Sequence, residues 1–112
     1  MVYIRELYIL VSMPDGIAGY DWDVHNVAHV ARHGVRPEEV EEAVGRPHVI
    51  AAGREMSGEK RWKLFGTSSM GRYLVVVFTV RNERLRPVTA HPMNQRERKI
   101  YGPEIDLSLI HI

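Results

Sequence analysis

The chain has 112 residues, 45% of them hydrophobic, which is enough for one packed core and too apolar for wholesale disorder. Fifteen Lys and Arg against 14 Asp and Glu leave a formal charge of +1, and the absence of cysteine excludes disulfide scaffolds, thiolate zinc sites and cysteine nucleophiles. No apolar run approaches the roughly 18 residues of a membrane span, and Met1–Met13, interrupted by Arg5 and Glu6, makes a poor signal peptide, so a cytoplasmic chain is expected.

In chain order, Val2–Val11 is rich in β-branched and aromatic residues and reads as an N-terminal strand, followed by a turn at Pro14, Asp15 and Gly16. From Trp22 to His33, Val24, Val27, Ala28, Val30 and Ala31 recur at helical spacing, with Asp21 or Asp23 available as N-cap and Gly34 beyond the end. A second helix starts at Pro37, carries Glu38 and Glu39 in its first turn, buries Val40, Ala43 and Val44, and stops at Gly45. After Pro47 the period changes to two. His48–Ala52, Lys60–Thr67, Tyr73–Arg81 and Arg84–Ala90 read as four antiparallel strands, and Asn82–Glu83 makes a tight turn between the last two. In Tyr73–Arg81 the even positions Leu74, Val76, Phe78 and Val80 mark the core face, while Tyr73, Val75, Val77, Thr79 and Arg81 form a mixed face that can stay half open. Pro87 requires an edge strand or a bulge. Asn94 caps a short basic helix over Gln95–Tyr101, which Gly102 and Pro103 are expected to stop. Asp106–Ile112 follows with no partner signal; it could pair as a strand with Val2–Val11 or be a non-native read-through tail, and no function is assigned to it. The fold class is therefore α+β: two N-terminal helices, a four-stranded antiparallel sheet and a C-terminal helix, with an extra strand at the N-terminus.

The near-neutral total hides an asymmetry. Residues 54–101 hold 11 Lys and Arg against four acids, net +7, while the remainder holds four Arg against ten acids, net −6. Such a split fits a surface for a polyanion or an acidic partner, and equally a scatter of solvated charges.

Three blocks, in order, resemble the BrnT family, the toxin half of a bacterial toxin–antitoxin pair. The first is Trp22-Asp23, Asn26, His29, Arg32-His33-Gly34-Val35 and Pro37–Glu42. The second is Arg61-Trp62, Gly66, Gly71-Arg72-Tyr73-Leu74 and the Val75–Thr79 strand. The third is Arg86–Ala90, Met93 and Arg96–Tyr101. On that resemblance residues 22–102 form the toxin domain, 1–21 an N-terminal extension and 103–112 a tail. The resemblance implies a RelE-like fold, RNA cleavage without metal or other cofactor, and neutralisation by a BrnA-like antitoxin. Where family members usually carry Arg at the end of the last strand this chain has His91-Pro92. That departure leaves open an alternative, a non-catalytic module of the same fold that binds RNA or antitoxin.

Metal-free cleavage of RNA needs a base for the ribose 2′-OH, an acid for the leaving 5′-oxygen and cations for the charge that develops on phosphorus. Imidazoles suit the proton transfers and guanidinium groups suit phosphate oxygens. The catalytic candidates are accordingly His33, His91, Arg72 and Arg81, with Lys63, Arg61, Arg86, Arg96 and Tyr101 as RNA-binding candidates. His33 matches the family's motif, and a helix-capping role is equally open to it. Lys63 and Arg81 make a phosphate clamp if they share the mixed face. Arg86 shares parity with Val88 and Ala90, so a buried ion pair, with Glu97 as partner, competes with a direct role. His25, His29 and His33 fall at i, i+4 and i+8, but the last is rotated by about 80° from the first and no HExxH glutamate lies between, so no metal site is assigned.

Overall fold

Residues 2–4, 7–10 and 17–110 are described by a computed structural model. They run β1 (Val2–Ile4), β2 (Leu7–Leu10), α1 (Val24–Ala31), α2 (Pro37–Gly45), β3 (His48–Met56), β4 (Glu59–Thr67), β5 (Tyr73–Arg81), β6 (Arg84–Pro92) and α3 (Gln95–Ile110). Strands β3 to β6 form an antiparallel meander in sequence order, with β2 and then β1 added along the outer edge of β3. The expected Val2–Val11 strand falls partly outside the described residues, at Arg5, Glu6 and Val11.

Local chemistry sets the boundaries. Asp23, not Asp21, caps α1: its carboxylate accepts from the His25 and Asn26 N–H groups at 2.9 and 3.0 Å, and Asn26 Oδ1 accepts from the Asp23 N–H at 2.8 Å. Pro37 occupies the first turn of α2, where its missing N–H costs nothing. The β5–β6 turn places Asn82 and Glu83 at φ of 51° and 63°, the paired left-handed residues of a type I′ hairpin. Pro87 is accommodated both ways the sequence allows. β6 ends the sheet, and the register slips between Val77 and Phe78, opposite Thr89 and Pro87.

Helices α1 and α2 cover one face of the meander. Val30, Val35, Val40, Ala43 and Val44 pack there against Leu64, Leu74, Val76, Phe78, Leu85 and Ala90. Leu74, Val76 and Phe78 are the even positions of β5 that the alternation requires; Val80, expected on the same core face, is 43% exposed, because it lies at the hairpin end beyond the reach of the helices. The outer edge of β6 is occupied by the segment entering α1: Asp21 N–H donates to Leu85 O and Leu85 N–H to Gly19 O, both at 2.9 Å. On the opposite face α3 closes only one end, where Tyr101 and Ile105 meet Val49, Phe65 and Val75.

The stop expected at Gly102–Pro103 does not occur, nor does a C-terminal strand: α3 continues through Pro103 to Ile110. Proline there forfeits one backbone hydrogen bond and strains the preceding turn. Tertiary contacts outweigh that cost. Ile105 is fully buried, the Tyr73 hydroxyl donates to Asp106 Oδ1, and the Arg98 guanidinium lies 4.1 Å from the Tyr73 ring centre. Residues beyond 102 thus supply part of the core.

Candidate active site

The face of the sheet that α1 and α2 leave uncovered is organised in cross-strand rows. Phe65, Val75 and His91 form the row under α3; Lys63, Val77 and Thr89 form the next. Thr79 pairs with Arg86 across β5–β6, and Arg61, two residues before Lys63 on β4, points to the same side. Arg81 and Arg84 close the open end. The mixed face is therefore a cationic platform, with α3 as a wall at one end.

At the open end a hollow of about 220 Å³ is lined by Arg61, Arg81 and Arg86 from the sheet, His25 and His29 from α1, and Glu59. Asn26 fixes α1 there. It is 3% exposed, and its amide donates to the backbone oxygens of Asp21 and Pro87, both at 2.9 Å. The first turn of α1 is thereby tied to the bulge in β6. A line of imidazoles follows the same edge: the His33 ring centre lies 6.1 Å from that of His29 and 6.1 Å from that of His91. His91 Nδ1 is 2.9 Å from Pro92 O, so Nδ1 is the donor, and in the neutral ring Nε2 is then the nitrogen with the lone pair.

The electrostatics of the hollow follow from its contacts. Arg81 grips Glu59 with two bonds, Nε to Oε2 at 2.6 Å and Nη2 to Oε1 at 3.0 Å. That bond, reinforced by the charges of Arg81 and then Arg61 and Arg86, holds the Glu59 carboxyl below the usual carboxylate range, and the same contact raises Arg81. Asp23 is likewise lowered, first by the Asn26 N–H and then by Arg86. The Arg61 Nε and Thr89 Oγ1 atoms are buried with no hydrogen-bond partner among the described residues, so both lie beneath the accessible surface of the platform.

The sequence candidates separate into groups. His33 and His91 adjoin, at the β6 rim of the platform. Lys63 and Arg81 do share the mixed face, but Arg81 is committed to Glu59. Arg86 is paired as a half-buried guanidinium should be, yet its partners are Asp23 at 2.8 Å and Asp21 at 3.5 Å rather than Glu97. Glu97 instead accepts from the Asn94 N–H at 3.0 Å in the cap of α3. Asp21 and Asp23 arrive because the pre-helical segment runs along β6, a long-range placement that parity on one strand cannot show. Arg96 and Tyr101 sit at the α3 wall, near Lys63. Arg72 stands apart from the platform: its Nη1 bonds both Glu39 oxygens at 2.8 Å and Gly34 O at 3.0 Å, locking the β4–β5 turn to α2. Among the described residues no three His, Asp or Glu side chains cluster to hold a metal ion. Spacing and alternation single out neither Glu59, Arg54 nor the anchoring role of Asn26, and they give His25 and His29 no part in binding a phosphate.

A platform of arginines with imidazoles on its rim is suited to binding and breaking a phosphodiester, and comparison with known families agrees. Residues 22–97 match the model of the ribonuclease toxin BrnT of type II toxin–antitoxin systems. The chain belongs to the BrnT family. The match spans α1 through the start of α3 and so takes in the platform, the hollow and the imidazole line. As a BrnT toxin, the chain acts as the toxin half of such a pair, with an antitoxin for partner. A search of curated proteins found no match. No helix among the described residues is long and apolar enough to cross a membrane.

Proposed function

We propose that this BrnT chain is a metal-independent mRNA endoribonuclease, acting in the cytoplasm until a BrnA-like antitoxin silences it. The observation that carries the reading is the His33–His91 contact at the rim of the cationic platform. His91 Nε2 takes the proton of a ribose 2′-OH, the 2′-oxygen attacks the adjacent phosphorus, and the P–O5′ bond breaks. His33, in its imidazolium form, gives a proton to the leaving 5′-oxygen. The products are a 2′,3′-cyclic phosphate and a 5′-hydroxyl, and the two imidazoles have exchanged protonation states.

Arg61 and Arg81, further along the platform toward its open end, hold phosphates of the strand on the side of the cut away from α3. Arg81 must leave Glu59 to reach a phosphate, a small obstacle, because the pair is exposed at 50% and 28% and water screens exposed ion pairs. Lys63 and Arg96 hold flanking phosphates and Tyr101 a base. Arg86 keeps α1 and β6 in place through its aspartates. Arg72 supports the catalytic set from below, by fixing the end of α1 that carries His33.

The test is incubation of the purified toxin with mRNA in excess EDTA. Fragments ending in 2′,3′-cyclic phosphate are expected, and an RNA with 2′-deoxy at the cut position stays whole. Intact mRNA at high enzyme, or cleavage abolished by EDTA and restored by a divalent metal, overturns the reading.

A further inference from the structure

Separate from the hollow, a groove of about 530 Å³ runs between α3 and the β3–β4 strands. Its cations are Arg54, Lys63 and Arg96, and none of these is tied into an ion pair among the described residues. Its floor is apolar: Ala51, Phe65 and the exposed Ile100, with the Tyr101 ring stacked on Phe65 at 3.7 Å between centres and 15° between planes. Gly53, in the lining, lets β3 approach β4 closely at the register slip, since a Cβ there would lie 2.9 Å from Arg61 O. Glu97, the carboxylate in the lining, is occupied by the cap of α3.

We propose that this groove is a nucleotide subsite that selects the base beside the cleaved bond. The proposal rests on the ribonuclease reading above. An apolar, aromatic floor edged by unpaired cations matches a base joined to its phosphates. An acidic peptide would also answer the charge, but the groove's position favours RNA. Phe65 on β4 and His91 on β6 stand in one cross-strand row, with Val75 between them. Two strand spacings, about 10 Å, therefore separate the groove floor from the imidazole pair. A strand lying across the platform with its scissile bond at His91 places a neighbouring nucleotide against Tyr101, which the buried Phe65 backs from beneath. The cations order the phosphate, and the floor discriminates among bases by fit.

The test compares wild type with Arg54→Ala, Arg96→Ala and the pair, all exposed positions whose removal leaves the core intact. Cleavage sites are mapped by end sequencing on a randomised RNA pool, and binding of a short oligoribonucleotide is measured by fluorescence anisotropy on a His91→Ala background. Each single variant is expected to weaken binding about tenfold, to raise KM more than it lowers kcat, and to flatten the base preference next to the cut. Phe65→Leu, which thins the stack, should alter the preferred base with a smaller change in affinity. Unchanged binding and an unchanged preference in the double variant overturn the subsite while leaving the ribonuclease reading intact. Loss of antitoxin binding with RNA affinity preserved also overturns it and assigns the groove to the protein partner. Binding that depends on these residues in a chain that cleaves nothing supports the subsite and refutes the nuclease alone.

Discussion

Arg72 is the candidate whose surroundings argue most strongly against direct chemistry, and its replacement separates catalysis from stability. Glu39 is buried to 3% exposure, and its carboxylate takes both oxygens' bonds from Arg72 Nη1, with the Arg36 N–H at 3.2 Å as a further donor. Arg72→Ala leaves that charge in the interface of α2 with the sheet, with only the exposed Arg36 guanidinium, 3.7 Å away, as counter-ion. Breaking a buried pair from one side costs about 3–5 kcal/mol. The lower end applies here, because the Arg72 side chain is 38% exposed and water can replace part of what it supplied. A loss of about 3 kcal/mol is more than a hundredfold in the folding constant and roughly 10–20 °C in Tm for a domain of this size. Urea unfolding followed by circular dichroism measures it. The companion variant Glu39→Gln with Arg72→Met, which removes both charges, should recover most of the loss. If Arg72 acts only through the fold, the specific activity per folded molecule of Arg72→Ala, assayed well below its midpoint, stays within a few fold of wild type. A variant as stable as wild type and a thousandfold slower would refute this account and return Arg72 to the reacting atoms.

Three further outcomes follow from particular contacts. Asn26→Ala strips two donors from backbone oxygens and one acceptor from the Asp23 N–H, so a loss of about 2–3 kcal/mol is expected in the same unfolding assay, with activity falling further as α1 loosens. His48 is fully buried, its Nδ1 donates to Arg46 O at 2.7 Å, and burial holds it below the usual imidazole range. The unfolded chain then binds the proton more readily, so stability is complete above about pH 6.5 and declines as the pH falls below it; His48→Gln should flatten that limb of a Tm–pH series. Lys63→Ala should reduce the slope of log affinity for single-stranded RNA against log salt by about 0.7, one phosphate contact's share, and an unchanged slope would place Lys63 off the RNA path.

Helices and strands were legible where periodicity and terminal chemistry agreed. The Pro37 start, the Gly45 end, the Asn82–Glu83 turn and the core face of β5 from Leu74 to Phe78, though not Val80, all depend on neighbours a few residues apart. The errors share a different origin. α3 outruns Gly102–Pro103 because Ile105 and Asp106 find partners on β5 more than thirty residues away, which local helix signals do not contain. Arg86 takes Asp21 and Asp23 for the same reason: the segment before α1 lies along β6, far off in sequence. The site divides likewise. Parity put Arg61, Lys63 and Arg81 on one face, but nothing in the alternation shows Glu59 answering Arg81, or α1 turning His29 and His33 toward His91.

The charge asymmetry acquires a spatial meaning once the two faces of the sheet are distinguished. The acids of the first half concentrate on α2, at Glu38, Glu39, Glu41 and Glu42, behind the sheet. The cations of residues 54–101 include Arg61, Lys63, Arg81, Arg84 and Arg86, in front of it. A chain of net charge +1 has little long-range pull as a whole, yet a separation of charge across its thickness orients an approaching polyanion within a Debye length, about 8 Å at physiological salt. Glu59 and the aspartates beside Arg86 temper the platform, so guanidinium groups that would repel one another stay in register without an RNA in place. Any partner that silences the toxin at this face has to replace the phosphate charges it displaces. A carboxylate-rich segment meets that requirement, and a neutral apolar one desolvates Lys63 and the platform arginines without answering their charge.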